Sequence, residues 1–138
     1  MADKTAATTG HCFCRSVGFS FTGPQTWACH CHCEDCRRAC AAPIVSFLGT
    51  PLSGFSWTGE APKEYHSSIG VTRYFCDRCG TPMAFQADHY PGEIHLYAVT
   101  LTDPTAFEPE FHVHYESRLP WVHLADELPR HAGSAPSG

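Results

Sequence analysis

Residues 29–36 read CHCHCEDC, four cysteines and two histidines in eight positions, in a chain that holds nine cysteines in all. Thiolates at such density serve metals or redox chemistry, and their spacing sorts them into three groups. The first is Cys12 and Cys14, in HCFC. On a strand, positions i and i+2 share a face, so a C-x-C pair can aim two sulfurs at one ion. The second is Cys76 and Cys79, in FCDRCG. A C-x-x-C that closes a strand and runs into Gly80 has the form of a zinc knuckle, in which backbone N–H groups face the thiolates and glycine accepts a positive φ. Each pair is half a tetrahedron, and together Cys12, Cys14, Cys76 and Cys79 predict a closed structural zinc site.

The third group is Cys31, Cys33 and Cys36, in CHCEDC. The first two sulfurs leave a strand end and the third returns from the first turn of a helix. Three thiolates fill three corners and leave the fourth for water or substrate, the pattern of a catalytic zinc. A competing reading closes the site with Cys29, Cys40, His30 or His32 and makes it a second structural clamp. Cys29, two residues before Cys31, shares its strand face, so spacing leaves both readings open. A thioredoxin-like redox pair fits less well, because no βαβ pattern surrounds the motif.

The elements that must position these thiols are mostly short strands. Val17–Gly23, Ile44–Gly49, Phe55–Gly59, Val71–Cys76, Met83–Ala87, Ile94–Val99 and Phe111–Tyr115 are rich in β-branched and aromatic residues and bounded by glycine, proline and aspartate. Helix is scarce: a turn or two at Glu34–Ala41 and a short piece near Thr102–Phe107. The class is mainly β, with two small sheets bridged by metal. Residues 1–9 and 131–138 are small and polar and predict disordered ends around one zinc-binding domain at 10–130. At 138 residues the chain has room for one core. Its opening residues carry no apolar h-region, so we expect no export signal. A reducing cytosol then favours metal-bound thiols over disulfides. No apolar run is long enough to cross a membrane. A formal charge of −5, with seven scattered arginines, argues against non-specific binding of nucleic acid.

In order along the chain, GHCFCRSV, CHCEDCRRAC, FCDRCGTPM and HVHYESRLPWVHL resemble the signatures of the glutathione-dependent formaldehyde-activating enzyme family, which includes centromere protein V-like domains. The resemblance spans most of Gly10–Pro129. It implies a β-tent fold with two zinc ions per chain, one structural on Cys12, Cys14, Cys76 and Cys79 and one catalytic on Cys31, Cys33 and Cys36. There are departures: Cys40 and Ala41 stand where relatives show a small hydroxyl residue and a glycine, Arg118 stands where lysine is expected, and Cys29 lies outside the pattern.

The implied activity is that of a zinc-dependent carbon–sulfur lyase, similar to an S-(hydroxymethyl)glutathione synthase. Its partners are a small thiol, such as glutathione, and formaldehyde or another small aldehyde. Three thiolates make zinc a weak Lewis acid towards water but suit it to a soft incoming thiol. Glutathione carries two carboxylates, so an arginine fork is expected, and Arg37, Arg38 and Arg118 are the candidates. His30, His32, His112 and His114 alternate in pairs, and one of them can relay a proton; His114 is also a substrate-binding candidate. Trp57, Phe55 and Trp121 read as core aromatics. The alternatives are a zinc-stabilised binding module for a protein partner and a thiol or metal sensor. The oligomeric state is open.

Overall fold

The computed structural model describes residues 6–135, and within them ten strands form two sheets. The smaller sheet joins β1 (Thr8–His11), β2 (Val17–Phe21) and β5 (Phe55–Gly59) in the order β1-β2-β5, all antiparallel. The larger contains β3 (Trp27–Cys31), β4 (Val45–Pro51), β6 (Lys63–Ser68), β7 (Val71–Phe75), β8 (Pro82–Ala87), β9 (Glu93–Tyr97) and β10 (Phe111–Val113). Its order is β10-β3-β4-β9-β8-β7-β6, and only the β10–β3 pair is parallel. The one α-helix among the described residues, α1 (Glu34–Cys40), follows β3 directly. A short 3-10 turn at Pro104–Ala106, capped by Asp103, occupies the place expected for a second helical piece.

The large sheet serves two cores because side chains alternate across it. Leu48 of β4 with Ile94 and Leu96 of β9 face the small sheet, where they meet Val17, Phe19 and Phe21 of β2. Val45 and Phe47 of β4 with Tyr97 of β9 face the other way, towards α1, and meet Cys31, Cys36 and Val113. Cys12 and Cys76 belong to the first core, so each core holds one of the two cysteine clusters. Burying a side chain such as Phe19 or Leu48 stabilises the fold by about 1.5–3 kcal/mol. Gly10 leads into the first cysteine pair under tight constraint. A Cβ there would run into the Phe19 ring and lie 2.7 Å from the Thr100 carbonyl oxygen.

Several expectations are corrected. Thr8 and Thr9, in the segment expected to be disordered, pair with Phe21 and Ser20 in β1. At the other end His131 and Gly133 exchange backbone hydrogen bonds with His112 and His114; the remaining residues of those two segments, 1–5 and 136–138, lie outside the described residues. Cys12 and Cys14 do not lie on a strand. They sit in a tight turn after β1, closed by the Arg15 N–H donating to the Cys12 carbonyl at 3.1 Å, with Arg15 at φ 69°. His114 is likewise past the end of β10, at φ 52°, so it does not share a strand face with His112. Trp121 is 65% exposed and is no part of a core, whereas Phe55 and Trp57 pack against the first one.

Candidate metal centres

Two chain reversals, one from each sheet, build the four-cysteine cluster. The β1–β2 turn supplies Cys12 and Cys14, and the β7–β8 turn supplies Cys76 and Cys79. In the second turn the Gly80 N–H donates to the Cys76 carbonyl at 2.7 Å with Gly80 at φ +82°, a conformation that glycine alone enters without cost. The two turns are tied directly, since the Phe13 N–H donates to Thr81 Oγ1 at 3.1 Å. All four sulfurs lie within 4.8 Å of one another. Cys12 Sγ is 3.6 Å from Cys14 Sγ, which is 3.7 Å from Cys76 Sγ. A tetrahedron with Zn–S bonds of about 2.3 Å has edges of about 3.8 Å, so the donor set fits a zinc ion. Hydroxyls support the thiolate form: Thr81 Oγ1 is 3.1 Å from Cys79 Sγ, and Ser16 Oγ is 3.4 Å from Cys76 Sγ. The Thr81 hydroxyl and backbone N–H pull the Cys79 thiol down to about 5.

The three-cysteine cluster is local. Cys31 is the last residue of β3, Cys33 is the N-cap of α1, and Cys36 lies in the helix's first turn. The Cys33 sulfur accepts from the Cys36 N–H at 3.3 Å, so it caps the helix as a serine hydroxyl would. The three sulfurs lie within 4.8 Å of one another. Hydrogen bonds from Cys31 and Cys36 hold Cys33 far below the usual thiol range, as its thiolate. Cys31 is pushed up by those same contacts and by burial. In Cys36 the bond to Cys31 pulls down, but the bond to Cys33 and burial outweigh it and push the thiol up to about 12.

Among the described residues no fourth cysteine, histidine or carboxylate joins this group. Cys29 packs behind it, its thiol pushed up to about 12 mainly by burial and then by the charges of Cys36 and Cys33. Cys40 sits beside it at the end of α1, also raised by burial. All nine cysteines are free thiols.

The histidines form a chain instead of a ligand set. Asp126 accepts from His112 Nε2–H at 3.0 Å, and His112 Nδ1 lies 2.8 Å from His32 Nε2. A carboxylate only accepts, so in neutral rings His112 Nδ1 is the bare nitrogen and His32 Nε2–H donates to it. His32 Nδ1 is then a buried lone pair without a partner. Burial, followed by the neighbouring His112 and His30, lowers His32 to about 4. His30 stands apart, 2.8 Å from the Ser46 hydroxyl through Nδ1.

The arginines read from the sequence divide differently. Arg37 donates through Nε to the His32 carbonyl and through Nη2 to the Ser117 carbonyl, tying α1 to the 115–118 segment. Arg38 is exposed and paired with Glu34 at 3.0 Å. Arg118 lies over the Tyr115 ring, 4.4 Å from its centroid. His114 stands close enough to Cys33 to favour its thiolate. Sequence reasoning passed over Arg73, which is half-buried on the α1 face of the large sheet. It packs over Phe85 at 5.0 Å and donates to the Ser67 hydroxyl at 3.1 Å. Its signal was legible: in VTRYF it is the charged residue of an otherwise uncharged strand.

Comparison with known proteins agrees with this geometry. Residues 7–117 match the sequence model of a family described as glutathione-dependent formaldehyde-activating enzyme. A curated relative, an uncharacterized lyase of Schizosaccharomyces pombe, is 33% identical over 76 residues, which is 55% of this chain and 55% of the relative. The chain thus spans about half the length of that relative. The crystal structure of a Rhodobacter sphaeroides protein aligns with a TM-score of 0.58 at 22% identity, covering 71% of this chain and 93% of that one, a likeness of fold. No helix among the described residues is long and apolar enough to cross a membrane.

Proposed function

The chain belongs to the glutathione-dependent formaldehyde-activating enzyme family, and from that premise we propose that it is a zinc-dependent carbon–sulfur lyase acting on a thiol–aldehyde adduct. Two zinc ions are assigned, one closed on Cys12, Cys14, Cys76 and Cys79 and one open on Cys31, Cys33 and Cys36. The observation that carries the reading is the second cluster: three sulfurs in mutual contact range with no fourth donor in the group among the described residues. A zinc held there would supply a soft Lewis acid that favours the thiolate form of an incoming thiol.

The chain's own residues would do the rest. Cys33, already the thiolate and fixed by the α1 cap, orients the loop. Cys31 and Cys36 would supply the other two sulfurs to a zinc ion held there. In the forward direction the thiol sulfur bonds to the aldehyde carbon, the C=O π pair moves to oxygen, and that oxygen takes a proton equivalent to the one the thiol gave up. The reverse cleaves the same C–S bond. No electron donor or acceptor enters. His114, beside Cys33, is the residue assigned to carry the proton. We place the protein in a reducing cytosol, where its nine thiols stay reduced.

Exchange NMR on glutathione mixed with formaldehyde tests this reading. The zinc-loaded protein should raise the rate of exchange between free and S-hydroxymethylated glutathione, and Cys33→Ser should abolish the increase. Exchange no faster than in buffer would remove the enzymatic reading.

A further inference from the structure

On one side of the three-cysteine loop a cleft of about 500 Å³ runs between α1 and strands β6 and β7, a size that suits a small peptide-like molecule. Helix α1 forms one wall with Arg38 and Ala39, and Tyr65 and Ser67 of β6 form the other. Arg73 and Tyr97 lie at its base. Tyr97 also packs in the core that contains Cys31 and Cys36, so the cleft and the thiolates share a wall.

Arg73, like Arg15, Arg37 and Arg118, is in no ion pair among the described residues. Arg38, Arg78 and Arg130 each have a carboxylate within 4.0 Å, namely Glu34, Glu60 and Asp126. Arg73 has none among the described residues, although it is half-buried. It donates to the Ser67 hydroxyl at 3.1 Å and the Tyr97 hydroxyl at 3.5 Å, and its guanidinium also faces the Cys36 sulfur. A guanidinium has five N–H donors in a planar fork, so donors remain for a ligand. The one carboxylate on the cleft wall, Asp35, forms no ion pair with Arg73, so this half-buried cation is left to receive an anion from a ligand. Tyr97, whose hydroxyl accepts from Arg73 at 3.5 Å, packs in the core that holds Cys31 and Cys36, which sets the anion site beside the thiol site.

We infer that this cleft holds the carboxylate arm of the thiol substrate, with Arg73 as its anchoring guanidinium and the Tyr65 and Ser67 hydroxyls beside it. The inference rests on the thiol–aldehyde reading above. It makes Arg73 a specificity residue, which selects carboxylate-bearing thiols over neutral ones, and it replaces Arg37, Arg38 and Arg118 in that role.

Calorimetric titration of the zinc-loaded full chain with glutathione and with its diethyl ester tests it. Loss of a charge-assisted hydrogen-bonded pair weakens binding on the order of 10- to 100-fold, so the native protein should bind the acid that much more tightly than the ester. Arg73→Gln should remove the difference by weakening the acid alone. Arg73→Lys, which keeps the apolar stem on Phe85 and the charge, should retain part of it. Equal binding of acid and ester by the native protein, or full discrimination in Arg73→Gln or its loss only in Arg73→Lys, overturns the assignment. If that happens while catalysed exchange persists, the enzymatic reading survives. Binding of neither thiol together with no catalysed exchange removes both.

Discussion

Replacing one cysteine in each cluster should break the protein in two different ways. The four-cysteine site ties the β1–β2 turn of one sheet to the β7–β8 turn of the other, with Cys14 and Cys76 separated by 62 residues. The three-cysteine site closes a loop whose ends, Cys31 and Cys36, are five residues apart. Closing the longer loop restrains the unfolded chain more, by (3/2)RT ln(62/5), about 2 kcal/mol. The larger difference lies in what each ion holds. A structural zinc is worth on the order of 10 kcal/mol, comparable to the stability of a whole domain at about 5–15 kcal/mol. Cys79→Ser should therefore be insoluble or lack a cooperative thermal transition. Cys33→Ser keeps the element it sits on, because serine is a good N-cap and its hydroxyl can accept from the Cys36 N–H as the sulfur does. It should melt cooperatively, roughly 5–10 °C lower if the local closure is worth about 2 kcal/mol. Elemental analysis should fall from about two zinc ions per chain to about one. Differential scanning calorimetry and metal analysis on the two variants decide the matter. If Cys33→Ser unfolds as badly as Cys79→Ser, both clusters are structural clamps and the division of roles fails.

Two further outcomes follow from local geometry. Ala41 ends α1 at φ 51° and ψ 46°, where an L side chain is strained; Ala41→Gly should raise stability by about 0.5–1 kcal/mol in chemical denaturation, and a loss of stability would show that the Ala41 methyl packs productively. At the three-cysteine site Cys33 is already ionised, whereas Cys31 and Cys36 are raised and hold their protons, so zinc uptake by metal-stripped protein should expel about two protons. Protons then compete with zinc, and affinity should rise with pH and fall by up to about 100-fold per unit of acidification, measured with a competing chelator; an affinity independent of pH between 6 and 7 refutes the protonation pattern.

How much was legible beforehand differs between the thiols and their surroundings. Cysteine spacing sorts the ligands four and three because a C-x-C or C-x-x-C reversal can bring two sulfurs to one point whatever the backbone does between them. That tolerance also explains the error at Cys12 and Cys14, which reach their positions from a turn with Arg15 in the left-handed region and not from a strand. The strand β6, KEYHSS, is exposed along its whole length and carries no apolar alternation, so only its pairing with β7 makes it a strand. The parallel pairing of β10 with β3, which brings His112 beside His30 and within reach of His32, joins residues about eighty positions apart and leaves no local trace. Arg73 was missed for the same reason. Its charge is visible in the sequence, but its burial and its lack of a carboxylate depend on β6, β9 and α1 arriving around it.

The surroundings of the two clusters argue for their separate roles as strongly as the ligand count does. A divalent ion among four thiolates carries more negative charge than one among three, and the four-cysteine site meets it with neutral donors, the Ser16 and Thr81 hydroxyls and turn N–H groups. Nearby, Arg78 is bound to Glu60 at 2.7 and 2.8 Å. The sulfurs of this site thus have their hydrogen bonds from neutral groups. The three-cysteine site has the reverse arrangement. Its net charge is smaller, yet it has Arg73 beside Cys36, a guanidinium with donors to spare. A cation with free donors exceeds what three thiolates need for a structural ion. The excess is explained if a further anionic ligand enters, bringing its own sulfur and its own carboxylate.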